Sequence, residues 1–153
     1  MSPYVGVLSD KTDLKNFAYD FRSGLKEEDV KEAVAGYLRH RGFHVFVGKR
    51  LERGPDIRAS RLHRRLLIEA KGEPRLPQAF TEHFLTALGQ LFMRMNSPGY
   101  IYALALPAHR AFVRMIEDFP NHARHTIPIS FYLVRPGNEK NPPEVGCFPY
   151  DAV

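Results

Sequence analysis

Residues 100–107 read YIYALALP, an unbroken apolar run of one strand's length. Such a run belongs to a strand in the middle of a sheet, covered on both faces. Its neighbours supply the other layers. In KEEDVKEAVAGYLRHRGF, residues 26–43, Val30, Ala33, Val34, Tyr37 and Leu38 share one helical face. Acidic residues crowd the first turn, basic ones the last, and Gly42 stands where a C-terminal cap belongs. HVFVG (44–48), PDIRA (55–59) and RRLLIEAK (64–71) read as three short strands, with Pro55 at the start of the second. Pro74 and Pro77 then break the chain. QAFTEHFLTALGQLFMRM (78–95) carries Phe80, Phe84, Leu88, Leu91 and Met95 at helical spacing, the core face of a long helix. HRAFVRMIEDF predicts a third helix, ISFYLV (129–134) a fifth strand, and Val145 to Phe148 a short edge segment.

The resulting order is helix, three strands, helix, strand, helix, strand, which predicts an α/β layer fold with a mixed sheet. Its 153 residues suffice for one domain with a proper core. Residues 1–25 show no strong period and read as an N-terminal arm on a single domain of residues 26–153.

No run reaches the roughly 18 apolar residues that span a bilayer, and MSPYVGVLSDKTDLKNF lacks a signal peptide's apolar core. A cytoplasmic protein without membrane partners is expected. Cys147 is the lone cysteine, so neither an intrachain disulfide nor a Cys-type zinc site can form. The net charge of +5 favours an anionic partner, and the basic residues are dominated by Arg, whose planar fork suits phosphate. Arg61, Arg64 and Arg65 fall between Asp56 and Glu69, which is expected to place a basic patch beside these carboxylates.

In a strand, Glu69 and Lys71 point to one face while Ile68 and Ala70 point to the other. If strands 55–59 and 64–71 are neighbours, Asp56 lies beside Glu69. Paired carboxylates repel, and at least one tends to stay protonated. A hard divalent cation removes the conflict, since Mg2+ commonly takes one or two carboxylates plus substrate phosphates. With Lys71 holding a water or offsetting phosphate charge, such a site suits phosphodiester hydrolysis.

GPDI followed by LIEAKG resembles the signature of the PD-(D/E)XK, or restriction-endonuclease-like, nuclease superfamily, with Pro55-Asp56 as PD and Glu69-Ala70-Lys71 as ExK. The order of elements over residues 26–107 is similar to that superfamily's core. The resemblance implies a Mg2+- or Mn2+-dependent deoxyribonuclease acting on DNA, an endonuclease by expectation. Asp56, Glu69 and the Ala70 carbonyl would hold the metal, and Lys71 would activate water. It further implies an acidic residue on the first helix that faces the metal and supports it directly or through water. Glu27 lies closest to the phase of Val30, Val34 and Leu38, whereas Glu28 points away and Glu32 is intermediate. Some branches carry Gln on the second helix followed four residues later by Arg or Tyr, matched by Gln90 and Arg94. These continue a stripe with His83 and Ala87. Gln90 would orient a phosphate or Lys71, and Arg94 with the three clustered arginines would contact the backbone.

The plain alternatives are an ion-paired patch for Asp56, Glu69 and Lys71, helix N-terminal charge for Glu27, and a solvated helix face for Gln90 and Arg94. Phe80, Phe84 and Phe92 read as core. His122 and His125 lack partner ligands and read as surface, and His109 as a helix-start residue. So small a catalytic domain would need a homodimer or a targeting partner. The functional alternative is a non-catalytic nucleic-acid-binding module.

Overall fold

The computed structural model describes residues 4–49 and 54–152. Along the chain come β1 (Tyr4–Val7), α1 (Lys11–Phe17), α2 (Glu27–His40), β2 (His44–Val47), β3 (Ile57–Arg61), β4 (Arg64–Ala70), α3 (Phe80–Met93), β5 (Ile101–Pro107), α4 (Arg110–Asp118), α5 (Asn121–Thr126), β6 (Ile129–Arg135) and β7 (Glu144–Phe148). The strands form one mixed sheet in the order β1-β7-β6-β5-β4-β3-β2. The apolar run is its centre: β5 lies parallel between β4 and β6, and Tyr102 to Pro107 are all buried. The fold is α/β, and among the described residues no helix is long and apolar enough to cross a membrane.

The helices cover opposite faces. Tyr37 of α2 meets Tyr132 of β6 edge-on, with ring centroids 6.0 Å apart, while Phe84 of α3 stacks on Phe131 at 6.4 Å. Neighbouring residues of a strand point to opposite sides, so α2 and α3 sandwich the sheet. Phe131, Leu104 and Glu69 are in register across β6, β5 and β4. Glu69 therefore lies on the α3 face, while Ile68 and Ala70 lie on the α2 face.

Four expectations are corrected. The segment around Val145 is not an edge, because β1 adds to it in parallel; β1 and β2 are the edges. The N-terminal residues showed no period because a four-residue strand and a seven-residue helix are too short to display one. The second predicted strand begins at Ile57 rather than Pro55: Pro55 has no N–H to give, and the Asp56 carbonyl accepts from Gly48 N–H at 2.8 Å. Phe92 is exposed rather than core, since Phe84, Ala87 and Leu91 fill the buried face of α3. His109 does start a helix, its Nδ1 accepting from Ala111 N–H at 3.0 Å and its ring stacked on Phe80.

The C-terminal end of β4 is held tightly against the start of α2. A Cβ on Gly72 would sit 2.5 Å from Glu27 N and 2.9 Å from Leu25 O, and Glu73 N–H donates to Leu25 O at 2.7 Å. The Glu73 carboxylate in turn accepts from Ser23 N–H and from the Tyr19 and Ser23 hydroxyls. This seam sets the distance between Lys71 and Glu27. Gly72→Ala must push the two elements apart and is expected to cost about 1–3 kcal/mol, read as a lower urea midpoint with unchanged slope.

Candidate active site

Asp56 precedes β3, and Glu69 lies one residue from the end of β4. The antiparallel pairing of these strands sets Ile57 opposite Ile68, which brings the two acids together. Asp56 Oδ2 accepts from Ala70 N–H at 2.8 Å, fixing the aspartate against the next strand. Glu69 is 3% exposed, and its carboxyl is pushed up to about 7, chiefly by burial and then by the Asp56 carboxylate beside it. Arg94 opposes that shift, with Nε donating to Glu69 Oε1 at 3.1 Å and Nη2 to Gly54 O at 2.9 Å.

On the α2 side, Lys31 is buried at 1% exposure. Its ammonium lies 3.3 Å from Asp56 Oδ1, 3.4 Å from Glu27 Oε2 and 3.7 Å from Glu28 Oε1. Burial works against its charge, but the three carboxylates outweigh it and raise its pKa overall. Lys71, half-buried, lies 4.0 Å from Glu27 Oε1. The α2 position of Lys31 was legible: it falls four residues after Glu27 and seven before Leu38, hence on the buried face. The apolar pattern of that face does not mark it, because a lysine carries no hydrophobic signal.

Each expected site residue has a definite place. Asp56, Glu69, Ala70, Lys71 and Glu27 form one cluster, and Arg94 joins it as the partner of Glu69. In the stripe on α3, His83 Nδ1 lies 3.4 Å from Gly72 O and Ala87 is buried, while Gln90 is exposed and its side chain makes no hydrogen bond among the described residues. The arginine cluster is elsewhere. Arg61 and Arg64 are cross-strand partners flanking the tight turn between β3 and β4, the far end of β4 from Glu69. Five residues of strand place Arg64 about 16 Å from Glu69. Arg65 lies at the same end, with its guanidinium 4.5 Å over the Tyr100 ring. The basic residues that do border the cluster are Lys26 and Arg75, which with Glu27, Lys71 and His83 line an open cleft of about 520 Å³. His122 and His125 are exposed on α5.

Among the described residues no three His, Cys, Asp or Glu side chains converge as a metal cage. Asp56 and Glu69 are a two-carboxylate pair, which with a backbone carbonyl is a sufficient protein contribution for Mg2+. Compared with protein-family models, curated proteins and solved structures, the chain matches none.

Because the folded carboxyl holds its proton up to about pH 7 and the unfolded one only to about 4.5, the stability this group contributes is fully present below pH 4.5 and is lost as pH rises from there through 7. Glu69→Gln is expected to flatten that slope and, in metal-free buffer at pH 8, to gain roughly 1–3 kcal/mol in urea unfolding. Lys31→Ala leaves Asp56 and Glu27 without their buried partner and is expected to cost about 3 kcal/mol in the same measurement.

Proposed function

We propose that the chain is a metal-dependent nuclease of the PD-(D/E)XK type, hydrolysing phosphodiester bonds of DNA as an endonuclease. The observation that carries this reading is the meeting of Asp56 and Glu69 at the C-terminal end of β4, with Lys71 two residues on and facing an open cleft. The succession α2, β2, β3, β4, α3, β5 has the order of the restriction-endonuclease-like core, which supports the same reading.

Asp56, Glu69 and the Ala70 carbonyl would hold Mg2+ or Mn2+, which when bound polarises a phosphoryl oxygen and lowers the pKa of a bound water. Lys71 reaches the cleft from the same strand end and offsets charge developing on the phosphate or holds the attacking water. Glu27 sits between Lys31 and Lys71 and orients the latter. Lys26 and Arg75 at the cleft mouth meet the incoming backbone, and Arg94 holds Glu69 until a stronger cation competes.

A second reading has its own support. Lys31 and Arg94 already neutralise Asp56 and Glu69, as they would in a nucleic-acid-binding module that does not cut. Incubation of supercoiled and branched DNA with purified protein and Mg2+ or Mn2+ separates the two. The nuclease nicks DNA, stops in EDTA, and falls at least about 100-fold in Asp56→Ala, Glu69→Ala and Lys71→Ala, the scale of losing an essential electrostatic or acid–base group. Salt-sensitive DNA binding without metal-dependent cutting would leave the binding module as the reading.

A further inference from the structure

The sheet face that carries Glu69 continues beyond the cover of α3. Cross-strand partners share a face, so His44 with Ser60, Phe46 with Arg58, Ser60 with Arg65 and Arg58 with Leu67 form one surface across β2, β3 and β4. Along β4, Arg65, Leu67 and Glu69 alternate onto that same side. Helix α3 packs over β4 and β5, and α2 lies on the opposite face, so among the described residues no helix covers this face of β2 and β3. Phe46 stands in the middle of it with 60% of its surface exposed. Around it His44, Arg58, Ser60, Arg65 and Tyr100 complete a shallow pocket of about 320 Å³.

The chemistry of this surface is specific. It offers a flat aromatic ring to solvent, two guanidiniums that pair with no carboxylate among the described residues, and a second ring, Tyr100, already stacked with Arg65. Exposed aromatics between arginines are what an unpaired nucleobase and its flanking phosphates need: a stacking face plus cations spaced along the strand. A paired base keeps its faces inside the duplex and cannot use Phe46. The position also fits. Two strand spacings, about 10 Å, and two residues along β4, about 7 Å, separate Phe46 from Glu69, so a strand crossing the carboxylates reaches the platform within a few nucleotides.

We propose that this face binds single-stranded DNA, with a base stacked on Phe46 and phosphates on Arg58 and Arg65, and that it selects substrates unpaired next to the cut. The selectivity rests on the nuclease reading above; the binding does not.

The test is fluorescence anisotropy of the full chain in EDTA with labelled 15-mer oligo-dT, a 15-base-pair duplex and 15-mer oligo-U. Oligo-dT is expected to bind at least about 10-fold more tightly than the duplex. Phe46→Ala should lose about 10-fold for oligo-dT, the scale of one base–aromatic stack, whereas Phe46→Tyr should retain it. Arg58→Ala and Arg65→Ala should each flatten the slope of log affinity against log salt by about 0.7. Leu85→Ala, an exposed apolar change on α3, is the control and should match wild type. Duplex or oligo-U binding as tight as oligo-dT, no binding of any strand, or Phe46→Ala binding like wild type would each overturn the proposal. Cleavage assays on the same samples keep the two readings apart. Cutting by a protein whose Phe46→Ala variant binds normally removes the platform and keeps the nuclease, while Phe46-dependent binding without cutting does the reverse.

Discussion

A carboxylate withdrawn from water at the end of β4 sets the terms for everything around it. Glu69 is forced inside because it is in register with Leu104 and Phe131 on the α3 face, where α3 covers β4 and β5. Burial of the charged form is costly unless it is paired, and the nearest strand brings a second carboxylate, Asp56, rather than a base. The fold answers from both sides, with Arg94 descending from α3 onto Glu69 and Lys31 rising from α2 onto Asp56.

That arrangement depends on the seam between β4 and α2. Without the close approach at Gly72, the first turn of α2 would not hold Glu27 and Lys31 over the strand end, and Lys71 would lose its acidic neighbour. Four carboxylates, Glu27, Glu28, Asp56 and Glu69, meet three cations, Lys31, Lys71 and Arg94, in one connected network. These pairings compensate the charges that the fold withdraws from water.

Patterning that depends on period and on sign of charge could be read directly. The 3.6-residue repeat placed α2 and α3, the apolar run placed β5, and the separation of Asp56 from Glu69 by one hairpin implied their meeting. On α3 the stripe of His83, Ala87 and Arg94 does not stay clear of the core, because Ala87 is buried, and the partner of Arg94 is a carboxylate. The arginine cluster misled for a geometric reason. Proximity in sequence to both acids suggested proximity in space, whereas a strand carries its two ends about 16 Å apart over five residues. Alternation then splits the cluster, sending Arg65 to the Glu69 face and Arg61 with Arg64 to the other.

By itself the sequence determined the longer strands and helices, α2, α3 and β5 foremost, and which of their side chains alternate onto a common face, because these follow from local sterics and from the solvent's aversion to apolar surface. Only the tertiary structure decided the pairing of β1 with β7, the burial of Lys31, the closing of Arg94 on Glu69 and the exposure of Phe46. Each depends on which distant element covers a given face, and no local period encodes it.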